Sequence, residues 1–458
     1  MQNVLGVEKP SKLLKSFAIP SIISMLVSSL YNIVDQIFIG QGVGYLGNAA
    51  TNVAYPLTTI TLAISLLIGI GSASRYSLYL GAKEEQKARY VIGNGVVAML
   101  IGGLLYVVLV FLFLQPLMKA FGATEQILPY ALEYTSITTL GAPFLIGTNV
   151  FSNMIRADGS PKYSMFCMVI GALINTVLDP TFIFVFDMGV AGAAWATVIG
   201  QVASFVIGAL YLKNFKQVHM HAKDFRFSLS QTLQTAAIGI SACINQCSIL
   251  LVQVILNNSL VYYGQFTEFG QEIPLAACGI VMKVNAILLA VIIGISQGTQ
   301  PIVGFNYGAR QYDRVRQTLK LSLGCALSVS VIGWACFQLF TQPILSLFGT
   351  GEALYFEFAT RFMKTFLIMT CVIGIQIVSS GYFSAVGKPI KGMILSLTRQ
   401  VIFFIPLVLI LPHFLGLDGI MYSGPIADFV AFVVSMIFVL REWRHLDHLQ
   451  KVEHYEKV

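Results

Sequence analysis

Twelve runs of mostly apolar residues, each near the length that crosses a bilayer, constrain this 458-residue chain more than any other feature. A membrane helix takes about 20 such residues to cover about 30 Å of hydrocarbon. The runs lie near 13–39, 53–80, 91–115, 127–154, 163–186, 191–212, 233–262, 275–305, 319–341, 357–383, 393–413 and 419–440. None alternates apolar with polar residues as a barrel strand does, so all twelve are read as helices. The composition fits: 56% hydrophobic, 11% charged and a mean hydropathy of +0.77, where a soluble domain carries roughly 25% charged residues. The first run follows a basic polar segment without an A-x-A cleavage site, so it reads as a retained span.

The net charge of +7 reports orientation. With the N-terminus placed in the cytoplasm, 23 of the 28 Lys and Arg fall on cytoplasmic segments, from Lys9, Lys12 and Lys15 at one terminus to Arg441–Lys457 at the other, while 40–52, 187–190, 263–274 and 414–418 carry none. That bias is the positive-inside pattern with both termini inside. The surplus comes from few acids rather than many bases, which argues against a nucleic-acid partner. The seven cysteines lie in apolar runs and read as small buried hydrophobes, not a disulfide or metal framework. The six His residues fall in loops, a tail or a span end, which leaves no constellation for an enzyme within the bilayer.

The chain repeats itself at an offset of about 227 residues. Gly81-Ala82-Lys83 with Arg89 recurs as Gly308-Ala309-Arg310 with Arg316, Gln115-Pro116 as Gln342-Pro343, Phe121-Gly122 as Phe348-Gly349, Ile68-Gly69-Ile70 as Ile293-Gly294-Ile295, and Gly159 with Pro161 as Gly387 with Pro389. An ordered series at a near-constant offset is a duplication. The expected architecture is an all-α polytopic membrane protein with twelve helices in two pseudo-symmetric six-helix lobes: 1–212, a cytoplasmic linker at 213–230, 231–440, and a tail at 441–458. Parallel repeats of this kind are one plan of secondary transporters, with a site between the repeats and rocking of one against the other. The linker reads as a hinge-side connector.

Departures from the repeat point to function. Asp35 in the first span aligns with Gln253, and Asp179 in the fifth with Ile405, so the first half holds two membrane carboxylates that its twin lacks. Such residues are expensive in lipid and usually face the bundle interior. Asn175 precedes Asp179 by one helical turn, and Thr197 has a compatible depth. Two carboxylates, an amide and a hydroxyl can bind a hard cation through oxygen or share a proton. Pro180 adds a kink and leaves the Thr176 carbonyl without its helical donor. Lys283 and Asp428, at similar depths, are expected to pair within the second half.

These residues resemble the multidrug and toxic compound extrusion (MATE) transporters, in their prokaryotic DinF/MepA-like branch. The resemblance spans essentially the whole chain and rests on YNIVDQIFIG (31–40), RADGSPKYSM (156–165), NTVLDPTFIF (175–184), GVAGAAWAT (189–197) and QGTQPIVGFNYGAR (297–310). It implies two lobes forming a V-shaped cavity and antiport of lipophilic, mostly cationic drugs against H⁺ or Na⁺ by alternating access. It implies antibiotic resistance as the outcome, a monomer in a prokaryotic plasma (inner) membrane, and no cofactor beyond the coupling ion. It matches Asp35, Asn175, Asp179 and Thr197 to the cation site, with Na⁺ as the one metal that could bind there, and gives Tyr134 and Asn149 as polar neighbours. The acidic pair that other branches carry in the second lobe is not evident: Asn245, Gln246, Gln253 and Gln376 are neutral. A lipid-linked glycan flippase of the wider superfamily is the alternative; it would need a basic cavity for phosphate, whereas the intramembrane charge of the first lobe is acidic.

Overall fold

The computed structural model describes residues 4–347 and 353–456, so Phe348, Gly349 and Lys457 lie outside the described residues. Within them no β-strand occurs. After a helical turn at Val4–Val7 come α1 (Pro10–Gly42), α2 (Tyr45–Gly81), α3 (Glu85–Ala120), α4 (Leu128–Ala157), α5 (Pro161–Pro180) and α6 (Gly189–Leu210). The second half holds α7 (Leu229–Gly264), α8 (Glu272–Gly308), α9 (Tyr312–Leu339), a broken α10 (Ala353–Phe366 and Ile373–Ala385), α11 (Pro389–Leu397 and its continuation Ile405–Ile410) and α12 (Leu417–Glu456). A helix satisfies its own backbone, which a bilayer interior demands. Each expected run falls on one of these elements, with ends that differ by up to eight residues except in α12, which continues to Glu456.

Eleven of the described helical segments are long and apolar enough to cross a membrane. The twelfth crossing, α4, has 30 residues but carries Thr135, Thr139, Asn149, Ser152, Asn153 and Arg156. It packs against α2, α3 and α6, so its polar groups meet protein rather than lipid. Large apolar side chains such as Leu104, Leu112, Val177 and Leu339 are exposed on the outside of the bundle, the surface that lipid would cover. Cys167 and Cys278 are buried as expected, but Cys247, Cys325 and Cys336 are exposed; all seven cysteines are free.

The duplication is visible in the backbone. Lys83 (φ 62°) and Arg310 (φ 57°) are non-glycine residues in the left-handed region, at matching places after Gly81 and Gly308. Gly159 (φ 90°) and Gly387 (φ 75°) form the second matched pair. The fifth and eleventh crossings each contain a π-helical stretch, Thr181–Val185 and Thr398–Phe404.

The closest backbone approaches between the halves form a seam at one end of the bundle. A Cβ on Gly71 would lie 2.1 Å from the Thr235 carbonyl oxygen, and one on Gly239 1.9 Å from that of Leu67. Gly294 and Gly298 press in the same way on Ile22 and Ala18 of α1. All of these approaches fall in the stretches of α1, α2, α7 and α8 nearest the basic loops. Only glycine permits backbones this close.

Candidate ion site

The far half of the first six-helix unit holds the carboxylates. Asp35 lies 13 residues beyond Ile22, about 20 Å along α1 from the seam. Two close helix contacts assemble its surroundings. Gly171 of α5 and Gly200 of α6 touch backbone to backbone, a Cβ on Gly200 falling 2.6 Å from the Gly171 carbonyl oxygen; this brings Thr197 beside Asn175. A Cβ on Gly42 would fall 2.1 Å from the Ile183 side chain, so the end of α1 seats against the π stretch that follows Pro180.

Asn175 Nδ2 donates to Asp179 Oδ1 at 3.2 Å and to Thr197 Oγ1 at 3.2 Å. Asp35 lies within electrostatic reach of Asp179. All three polar anchors are buried, with relative exposures of 8% for Asp35, 3% for Asn175 and 0% for Asp179. Asp35 Oδ1, Asn175 Oδ1 and Asp179 Oδ2 receive no hydrogen bond from the protein. Three buried acceptor oxygens without donors are costly unless a proton or cation joins them. The donor set therefore fits either. A small apolar cluster of Ile39, Ile183 and Ala193, with Phe38, Val43 and Tyr134 packed on it, lies on the same elements. Phe38 and Phe184 meet edge to face at 6.3 Å.

The structure thus joins Asp35, Asn175, Asp179 and Thr197, and it places their two expected neighbours at different levels of α4. Tyr134 lies within electrostatic reach of both carboxylates. Asn149 is 15 residues further along α4, about 22 Å away, and its amide donates to the Leu145 carbonyl at 2.9 Å. Its neighbour Thr148 bonds the carbonyl of Gln201, one turn beyond Thr197, so Asn149 belongs to the next layer inward. Sequence reasoning missed Tyr31, one turn before Asp35, which also interacts with both carboxylates; the i, i+4 spacing was the available signal.

The expected pair of Lys283 with Asp428 does not form. Arg399 Nε takes Asp428 Oδ1 at 2.5 Å, from the π stretch of α11, while Lys283 is exposed. Similar depth on two helices does not fix which faces meet, and a guanidinium from a third helix is nearer. Glu442, fully buried, is held by Lys388 (2.5 Å) and Lys391 (3.2 Å), and Arg361 pairs with Asp418 at 2.6 Å. In the second half, Gln400 donates to Asn245 at 3.2 Å and Gln376 to the Leu395 carbonyl at 3.1 Å. Of the six buried acids among the described residues, only Asp35 and Asp179 face each other without a basic partner or a full set of donors.

Arg75 and Arg156, whose charges were assigned to loops, are only 5% and 3% exposed and lie in the seam. Arg75 reaches the Gln231 carbonyl, Thr235 and Gln234 of α7. The linker is not free either. Asp158 accepts hydrogen bonds from Tyr76 Oη (2.6 Å), Tyr211 Oη (2.8 Å) and the backbone N–H groups of Lys216 (2.7 Å) and Gln217 (3.1 Å).

A two-halved bundle of twelve membrane-crossing helices, with close backbone approaches between the halves at one end and a buried carboxylate pair towards the other, defines a polytopic membrane transporter rather than an enzyme. The chain belongs to the MatE family, whose profile matches residues 20–181 and 242–410. It is 27% identical over 448 residues to the multidrug export protein MepA of Staphylococcus aureus (strain NCTC 8325 / PS 47), covering 96% of each chain. It is 35% identical to the MATE multidrug transporter DinF-BH, solved in complex with R6G, over 95% of this chain and 96% of that one, with a TM-score of 0.88. The fold also agrees, at a TM-score of 0.90 and 24% identity over 98% of this chain and 99% of the other, with the outward-facing conformation of a multidrug resistance MATE family transporter of the MOP superfamily.

Proposed function

We propose that this chain is an antiporter that exports lipophilic, mostly cationic drugs in exchange for H⁺ or Na⁺ by alternating access. The observation that carries the reading is the set of unpartnered oxygens of Asp35, Asn175 and Asp179, buried about 20 Å along α1 from the glycine seam at the basic end. Two carboxylates and neutral oxygens suit a proton or a monovalent cation. Among the described residues no group of three or more His, Cys, Asp or Glu is placed to hold a metal ion. An ion arriving at the pair and a cationic drug leaving it compete for the same negative charge, so loading one expels the other.

The positive-inside bias of the basic loops supports a cytoplasmic position for the seam end and both termini, with the carboxylates towards the outside, and the bacterial relatives support a prokaryotic plasma membrane. The lobes are residues 1–212 and 231–440, and a single chain contains both. The multidrug export named for MepA and the R6G bound to DinF-BH support a drug-like substrate.

The test is efflux of ethidium from proteoliposomes with independently imposed pH and sodium gradients. The gradient that drives efflux identifies the ion, and Asp35→Asn or Asp179→Asn is expected to reduce driven efflux to background while the protein still inserts. Undiminished efflux in both variants would sink the reading.

A further inference from the structure

The seam contains a second buried site, of opposite polarity to the first. Arg156 is 3% exposed and forms no ion pair among the described residues. Its Nη1 donates to Gln297 Oε1 at 2.6 Å and to Ser21 Oγ at 3.4 Å, and its Nη2 to Asn153 Oδ1 at 3.0 Å. These partners are neutral. Asp158, two residues away, is taken up by Tyr76, Tyr211 and the linker backbone. A buried cation held only by neutral groups leaves its charge uncompensated.

Beside it lies a small cavity of about 10 Å³, room for a single water-sized or monatomic occupant, lined by Arg156, Asn153, Ser74 and Ser77 from the first half and by Gln297 and Gln300 from the second. Ser74 and Ser77 are 4% and 1% exposed, and neither hydroxyl has a hydrogen-bond partner. A guanidinium, two orphaned hydroxyls and a side-chain amide converge there as donors. Arg75, whose partners are the Gln231 carbonyl, Thr235, Gln234 and Tyr79, adds a second uncompensated positive charge to the seam.

We propose that this cavity binds one small inorganic anion of chloride's size and charge, held by Arg156 and by the Ser74 and Ser77 hydroxyls. The carboxylate site suits a cation because its unfilled groups are acceptors; this one suits an anion because it is rich in donors around a fixed positive charge. Both halves line it, so parting the seam dismantles it. A ligand that binds only the closed seam stabilises that state by mass action, and the anion thereby holds the basic end shut.

The full-length purified protein tests this by two readouts. Crystals grown in bromide are expected to show an anomalous peak between Arg156 and Ser77. Thermal unfolding is expected to shift upward with chloride but not with gluconate at equal ionic strength. The shift should vanish in Arg156→Gln, persist in part in Arg156→Lys, and shrink in the Ser74→Ala/Ser77→Ala double variant, which keeps the guanidinium and its bonds. If no bromide peak appears and the chloride and gluconate curves coincide, the cavity holds water only and the proposal is overturned. Should Arg156→Gln fail to purify, the serine double variant makes the same comparison.

Discussion

Gly81 and Gly308 occupy matching places in the two repeats and close on each other's helix: a Cβ on Gly81 would stand 2.0 Å from the Phe305 carbonyl oxygen, and one on Gly308 2.1 Å from that of Leu78. Backbone has nowhere to retreat at such a contact. Gly81→Val or Gly308→Val is therefore expected to destabilise the closed seam by about 1–3 kcal/mol, roughly 5- to 150-fold in the balance between closed and open. Spin labels on the basic loops of the two halves would read this as a longer distance. An unchanged distance distribution would count against the seam as the closing element.

Asn175 bridges Asp179 and Thr197, and its loss removes two hydrogen bonds without removing a charge. At about 1 kcal/mol each, Asn175→Ala should weaken apparent coupling-ion affinity by about tenfold or more while the saturated efflux rate changes little. Half-saturation in an ion titration of efflux decides it; a lowered maximal rate with unchanged half-saturation would contradict the assignment.

Asp428 belongs to Arg399, not to Lys283. Asp428→Asn should cost about 3–5 kcal/mol by stranding a largely buried guanidinium, and the double change Arg399→Met/Asp428→Leu should recover most of it. Lys283→Met, at an exposed position, should stay within about 0.5 kcal/mol. Equal destabilisation by Lys283→Met and Asp428→Asn would revive the expected pair.

Asp158→Ala deprives four donors of their acceptor at once. The expected loss is about 3 kcal/mol or more, together with faster proteolysis around Lys213–Arg226. Wild-type resistance there would mean that the linker is held elsewhere.

The crossings were legible because apolar runs of bilayer length have few other uses, and α4 was found although its polar face lowers its hydropathy. Asp35 and Asp179 stood out because charge is scarce in the spans. Azimuth was not legible. Depth along a helix follows from counting residues, but which face meets which neighbour depends on crossings set by glycines such as Gly171 and Gly200. That gap explains the mistaken partner for Asp428. Arg75 and Arg156 were hidden for another reason: a basic residue at a span end reads as a loop charge, and nothing in the sequence marks the seam that buries them.

The anchorage of the connector changes what it can do when the halves part. From Lys216, held by Asp158, it runs to Ser228, whose N–H is taken by Asn94 of α3, and a Cβ on Gly93 would press on the Asp224 carbonyl at 2.1 Å. The segment is strapped to the first six helices along most of its length and travels with them as cargo. Under the proposed alternating access, a segment tied to one half is carried with it, and its length would not set how far the halves swing. The first turns of α7 are tied to the same half, Arg75 reaching Gln231, Gln234 and Thr235 and Asn94 reaching Thr232, so slack spliced in near Lys213 is expected to leave efflux turnover as it was.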